Sequence, residues 1–352
     1  MKNILSLLDY VHSLSKTDKE LFSRIYSVSG DLGLLKVPKD IQPWVSSKFG
    51  SVEVVESQKI IRVDNRITFE SSLFNQLRAK RPIDTNNKTD VESLIKKTEN
   101  DPFCKPLTNT PRDSFGRVKG KQSISASNIA KYDSHHGLII FKEHNPLKFS
   151  LSSIKDYLET AQKWINKVYK LNPERKFPFI MWNCLWKSGA SIIHGHMQTV
   201  MAKEKHYGNI EKLKMFSDVY TDLFKADYFN DLFKCHEIIG LGFKKGKNKV
   251  LAHLTPIKDK ETIIIAKELN DSSKTIYKVL KAYMKMGVRS FNVGIYLNPL
   301  DNSWKFPVII RIVDRGNLSD NTTDFGGMEV FAGTSIISSD PFKIINNIKK
   351  EF

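Results

Sequence analysis

Between residues 151 and 169 apolar side chains recur every three or four positions, at Ile154, Tyr157, Leu158, Ala161, Trp164, Ile165, Val168 and Tyr169, with Lys and Glu in between. That period predicts a helix with one buried and one wetted face. Ser153 and Asp156 have the spacing of a helix-opening capping box, and Asn172 and Pro173 end the pattern. Before the helix, residues 138–142 read as a strand; after it, 177–182 and 192–200 read as strands paired across a loop containing Gly189. The order returns later: a strand at 262–266, a helix at 272–286 closed by Gly287, and strands at 291–297 and 308–313. A strand, helix, strand, strand unit is therefore expected twice, both copies contributing to one sheet.

The flanking regions are less regular. Residues 4–13 and 16–27 read as helices and 52–63 as strand-like, an N-terminal elaboration. Residues 86–120, rich in Lys, Asn, Thr, Asp and Pro, read as loop with a short helix at 91–97, and the aromatic-rich stretch 207–235 as helical. With 40% hydrophobic and 11% aromatic residues in 352, the chain has material for a substantial core and is not a disordered polypeptide. No apolar run approaches the roughly 18 residues of a membrane span. Asp9 breaks the apolar patch at the start and no small-residue cleavage site follows, so a cytoplasmic location is expected.

Three cysteines at irregular spacing fit neither a disulfide framework nor a four-cysteine zinc module. A formal charge of +17, from 55 Lys and Arg against 38 Asp and Glu, favours anionic partners: nucleic acid, acidic lipid or phosphorylated small molecules. The positive residues are scattered, and no basic run is interleaved with stacking aromatics. A solvated cationic surface is thus a simpler account of the charge than a nucleic-acid groove.

The candidate chemistry lies in the string Gly189-Ala190-Ser191-Ile192-Ile193-His194-Gly195-His196-Met197-Gln198. On a strand, His194, His196 and Gln198 share one face while Ile193 and Met197 take the other. Burying two imidazoles and an amide without partners would be costly, so a functional wall is favoured over an idle one. A neutral imidazole attacks phosphorus well and leaves well from a phosphoramidate. Gln198 and the backbone N–H groups of the Gly189–Ser191 turn can donate to phosphate oxygens.

These residues, with Asn183 upstream, resemble the active-site motif of the galactose-1-phosphate uridylyltransferase group within the histidine-triad (HIT) superfamily. Arg78-Ala79-Lys80-Arg81-Pro82 is similar to that family's phosphate-contacting segment, and Pro102-Phe103-Cys104 to the second half of its CxxC. Ser127-Asn128, His136-Gly137-Leu138-Ile139-Ile140 and His144-Asn145 resemble its first strand pair and downstream histidine, and Gly327-Met328-Glu329 its C-terminal substrate segment. The resemblance spans residues 65–345. It implies an α+β fold of tandem HIT-like half-barrel units, antiparallel sheet with packed helices, at 65–206 and 207–352, after an N-terminal helical extension at 1–64.

It also implies roles. His196 would attack the α-phosphorus of a nucleoside diphosphate sugar, His194 would be structural, and Gln198 would bind phosphoryl oxygens. Arg78, Arg81, Asn183 and Ser191 would hold phosphates, Asn128 would lie near the base or ribose, and Glu329 would contact the sugar. The reaction would be an exchange between a nucleotide sugar and a sugar phosphate, through a covalent nucleotidyl-histidine, in a homodimer.

Departures from the pattern qualify this. Asp101 stands where the family often has the first cysteine; Asp101, Cys104, His144 and His194 can bind zinc tetrahedrally, while a metal-free hydrogen-bonded cluster stays an alternative. The iron-type site of some relatives needs histidines where this chain has Tyr296, Ile310 and Ile312, so no iron is expected. Ser335 replaces a sugar-binding glutamine, so the resemblance does not fix galactose as the sugar. His135 and His136 read as loop or sheet-edge residues, His12, His206, His236 and His253 as isolated, and Arg315 as part of a turn. An ADP-sugar or dinucleoside polyphosphate phosphorylase or adenylyltransferase of the same superfamily is the alternative enzyme. A non-catalytic nucleic-acid or nucleotide-binding protein is the alternative of another class.

Overall fold

Helices Leu151–Leu171 and Ser273–Lys285 pack against each other over one face of a nine-stranded sheet. The computed structural model describes residues 2–80 and 89–352. Its thirteen strands are β1 (Tyr26–Leu34), β2 (Ser57–Asn65), β3 (Ser71–Phe74), β4 (Ser123–Ser127), β5 (His136–Phe141), β6 (Phe177–Cys184), β7 (His196–Ala202), β8 (Gly242–Lys245), β9 (Asn248–Ala252), β10 (Thr262–Ala266), β11 (Phe291–Tyr296), β12 (Val308–Asp314) and β13 (Thr334–Ile337).

The large sheet is antiparallel and runs β4-β5-β7-β6-β11-β12-β10-β9-β8. Outward from the central β6–β11 pair, β7, β5 and β4 follow on one side and β12, β10 and β9 on the other. Each side has the same chain order, two strands, a helix and two strands, so the duplication expected from the hydrophobic pattern is present in the topology. The protein is of mixed α+β class.

The long helix buries the face its period foretold: Ile154, Tyr157, Leu158, Ala161, Trp164, Ile165 and Val168. Each such large side chain contributes roughly 1.5–3 kcal/mol through removal of apolar surface from water. Its capping box lies earlier than the sequence spacing suggested. The Ser150 hydroxyl accepts from the Ser153 N–H at 3.1 Å, and the Ser153 hydroxyl accepts from the Ser150 N–H at 2.7 Å. Asp156 instead accepts from the Lys121 and Gln122 N–H groups and the Ser123 hydroxyl at 2.6, 2.9 and 2.7 Å, tying the start of β4 to the helix.

The N-terminal region is not purely helical. Residues 26–34 form β1, paired from Tyr26–Asn65 to Leu34–Ser57 with β2, while Val52–Glu56 is a helical turn and not strand. β1 is an exposed edge strand containing Gly30 and Gly33, so it carries no clean alternation to read. With β3 and β13 these strands make a second sheet, order β1-β2-β3-β13, whose last pair is parallel and joins residues 71–74 to 334–337. No helix among the described residues is long and apolar enough to cross a membrane.

Candidate active site

On the sheet face away from the long helix, Phe103, Ile124, Ala126, Leu138 and Ile140 form a small apolar cluster. Register places Gln198 opposite Leu138 and His196 opposite Ile140, so both polar residues project from that face. The His196 ring stands edge-on to Phe103 at 5.2 Å between centroids. Its Nδ1 lies 2.8 Å from the His194 carbonyl, which only accepts, so Nδ1 carries the proton and Nε2 keeps its lone pair. Burial holds the His196 pKa below the ordinary imidazole value, favouring the neutral ring.

The His194 ring also stands edge-on to Phe103, at 5.9 Å between centroids, although the residue precedes the strand. β7 begins at His196, and His194 sits in the preceding turn. Gly195 permits the turn: its N–H donates to the His144 carbonyl at 3.1 Å and its carbonyl accepts from the Phe141 N–H at 2.9 Å. A Cβ there would stand 2.4 Å from Phe141 Cδ2. The His194 ring lies beside Asp101, Cys104 and His144.

His194 Nε2 donates to the Phe141 carbonyl at 2.8 Å and His144 Nε2 to the Ile95 carbonyl at 2.9 Å. Both rings consequently present bare Nδ1 atoms, and these face each other at 3.1 Å. Cys104 Sγ lies 3.4 Å from one and 3.5 Å from the other, and Asp101 Oδ1 is 3.4 Å from His194 Nδ1. Asp101 Oδ2 is buried without a hydrogen-bond partner, 4.0 Å from His144 Nδ1. Tetrahedral ligands bound at ~2.0–2.3 Å stand about 3.3–3.8 Å apart, so the four donors have the spacing of a cation site. Burial lowers the His194 pKa and raises that of Cys104, whose deprotonation a cation would favour.

Gln198 Oε1 lies 2.8 Å from His136 Nε2. His136, read from the sequence as a loop or edge residue, is fully buried at the start of β5. The strand begins two residues earlier than the apolar run suggested, which puts His136 on the same face as Leu138 and Gln198. Asn128 is half-buried beside it, its Nδ2 3.2 Å from His136 Nε2. Asn183 projects from β6, its Oδ1 accepting from Asn292 Nδ2 at 2.7 Å across the central strand pair. Asn292 was missed from the sequence; only its register opposite Asn183 reveals it. Ser191 is exposed in the turn between β6 and β7. That turn is shaped by two positive-φ residues, Leu185 at 64° and Gly189 at 89°; the non-glycine one costs roughly 1–3 kcal/mol.

Arg78 and Glu329 are brought together elsewhere, on the wall of a 650 Å³ cavity with Lys187, Lys258 and Arg315. None of His194, His196, Gln198, Asn128, Asn183 or Ser191 lines it. Glu329 caps its own short helix, accepting from the Gly326 N–H at 2.9 Å, and pairs with Lys258 at 3.6 Å. Arg315 is more than a turn residue: it forks onto Asp324 at 2.7 and 3.0 Å and donates to Asn292 Oδ1 at 2.6 Å, linking the cavity wall to Asn183. Ser335 is buried with its hydroxyl donating to the Ile257 carbonyl at 3.0 Å. Arg81 lies outside the described residues.

A doubled α+β unit of this kind is an architecture that solved structures share. No protein-family model and no curated protein matches the chain. An ADP-glucose phosphorylase from Arabidopsis thaliana with bound ADP-glucose superposes with a TM-score of 0.62 at 16% identity, over 82% of this chain and 97% of that one. A GalT-like protein from the same plant gives 0.60 at 16% identity, covering 81% and 96%. A uridylyltransferase gives 0.57 at 13% identity, covering 83% and 98%. The chain has the fold of these uridylyltransferase-like proteins.

Proposed function

We propose that this protein is a nucleotidyltransferase acting on a nucleoside diphosphate sugar and a hexose 1-phosphate, with a covalent nucleotidyl-His196 intermediate. The observation that carries the reading is the His196 Nδ1 contact with the His194 carbonyl, 2.8 Å, which leaves Nε2 bare on a strand face shared with Gln198. In the first step Nε2 attacks the α-phosphorus, the N–P bond forms, and the bond to the bridging oxygen breaks. Sugar 1-phosphate departs with that electron pair. The resulting imidazolium keeps its Nδ1–H on the His194 carbonyl, which stabilises the positive charge. In the second step a phosphate oxygen of the acceptor attacks phosphorus, and His196 leaves with the N–P pair as neutral imidazole.

Gln198, Asn183 and Ser191 donate to the phosphoryl oxygens in this reading, and Asn128 lies near the ribose or base; Arg81 and Arg78, the latter on the cavity wall that Arg315 joins to Asn183 through Asn292, would hold the departing phosphate. Glu329 serves the sugar. The repeated units at 65–206 and 207–352 correspond to tandem HIT-like half-barrels. The spacing of Asp101, Cys104, His144 and His194 supports zinc as their ligand. Bound there, the ion would be structural, joining the segment around residue 101 to the strand ends that carry His144 and His194.

A second reading, favoured by the likeness to the ADP-glucose phosphorylase, keeps the His196 chemistry and replaces hexose 1-phosphate with inorganic phosphate. Incubation with UDP-glucose or ADP-glucose, followed by intact-mass measurement, tests both. One nucleoside monophosphate should add to the wild-type chain with release of glucose 1-phosphate, and none to a His196→Ala variant. Discharge by galactose 1-phosphate or by phosphate then separates the two readings. No mass gain on the wild-type protein from either nucleotide overturns them.

A further inference from the structure

We infer that His136 is a positioning residue that fixes which end of the Gln198 amide faces the reacting phosphoryl group. The inference rests on the nucleotidyl transfer proposed above. The Tyr132 backbone N–H lies 3.1 Å from His136 Nδ1, and a backbone N–H only donates. Nδ1 must therefore be the bare nitrogen. Burial lowers the His136 pKa and keeps the ring neutral, so the remaining proton is on Nε2. An Nε2–H that reaches Gln198 at 2.8 Å requires the amide oxygen there, which turns the NH₂ end outward. Asn128 does not compete as an acceptor, because its Oδ1 takes the Ala130 N–H at 3.2 Å.

Asn183 is poled in the same sense by an independent chain. A guanidinium cannot accept, so Arg315 at 2.6 Å fixes the Asn292 oxygen toward itself and the Asn292 NH₂ toward Asn183 at 2.7 Å. Asn183 must answer with its oxygen. Gln198 pairs with Met181 and Asn183 lies two residues beyond it, so the two amides share a sheet face. Each ends in a group that cannot flip, and both leave NH₂ donors for an anion.

The test is a double-mutant cycle read as the single-turnover rate of adduct formation from UDP-glucose and from ADP-glucose, with melting temperature as the folding check. His136→Leu should slow the step by ~10-fold or more, within the ~10²-fold expected for loss of one oxyanion donor. Half-saturation should move little. In a Gln198→Ala background the same change should cost no more than ~2-fold, because its effect passes through the amide. His136→Gln, which can still donate, should recover most of the rate. Should the Leu variant fail to fold, His136→Asn, too short to reach the amide, carries the same expectation. Equal losses in both backgrounds, or wild-type rates in a folded Leu or Asn variant, overturn the inference and leave the proposed function standing. Absence of an adduct on the wild-type protein overturns both.

Discussion

The Nδ1 atoms of His144 and His194 face each other at 3.1 Å, each ring having given its Nε2 proton to a backbone carbonyl. Two lone pairs at that separation repel, and the Cys104 sulfur and unpartnered Asp101 oxygen beside them add to the negative potential. A cation at the centre resolves the arrangement. Elemental analysis of the purified protein is expected to find about one zinc per chain, and His144→Ala to abolish it with a fall in melting temperature of ~5 °C or more. Asp101→Cys should slow zinc loss to a chelator, since thiolate is the softer and stronger donor. A metal-free protein whose stability is indifferent to chelators would contradict this.

Gly195 is the joint between the metal-type cluster and His196, the proposed nucleophile. Its absent Cβ would lie 2.4 Å from Phe141 Cδ2, inside a packed aromatic cluster in which Phe141 stacks on Tyr157 at 3.6 Å. Gly195→Ala is expected to destabilise the protein by about 1–3 kcal/mol through overpacking. It should also slow adduct formation, because His194 and His196 flank the displaced backbone. Phe141→Leu, added to Gly195→Ala, should return part of both. Urea denaturation and adduct kinetics on the pair decide it, and simple additivity would refute the steric account.

The doubled unit was legible because its helices and central strands carry strong periods: residues 262–266 form β10 as read, and 91–97 form the short helix. β1 was not, because an exposed edge strand needs no apolar alternation. Of the site, the pairing of His196 with Gln198 followed from strand alternation alone. The bend at His194 before β7 did not, because Gly195 there meets Phe141, a contact between segments distant in sequence. His136 and Asn292 were hidden for a related reason. An orienting residue is defined by its cross-strand partner, and register is set by tertiary packing. Asp101, by contrast, stood out as a substituted cysteine position and converges with its three expected companions.

Arg311 on β12 is buried between two carboxylates, Glu261 at 2.5 Å on β10's flank and Glu70 at 2.8 Å in the connection between β2 and β3. It clamps the small sheet to the large one. Burial alone would raise the Glu261 pKa, but Arg311 and His253 outweigh it and hold the carboxyl down at about 2. Arg311→Met should cost about 3–5 kcal/mol, because it leaves a buried carboxylate without its cation. Adding Glu261→Gln should recover part of that loss in the urea midpoint. A mild effect from Arg311→Met alone would show the clamp to be dispensable.

His236 sets an acid limit on stability. Its ring is fully buried, with Nδ1 donating to the Leu232 carbonyl at 2.8 Å and Nε2 accepting from the Leu254 N–H at 3.2 Å. Burial, aided by the neighbouring His253, pushes its pKa down to about 3. An unfolded histidine titrates near ~6.5, so between these values the unfolded chain binds a proton that the folded chain refuses. The stabilisation is whole above about pH 6.5 and is lost as pH falls, at up to ~1.4 kcal/mol per pH unit from this group. His206, held at about 4 by burial, contributes with the same sign. Carboxylates scarcely titrate between pH 7 and 5.5, so the histidines dominate that window. The urea midpoint of the wild-type protein should fall across it, and His236→Gln, which can keep both hydrogen bonds without accepting a proton, should flatten the slope. An unchanged slope in that variant would remove His236 from the account.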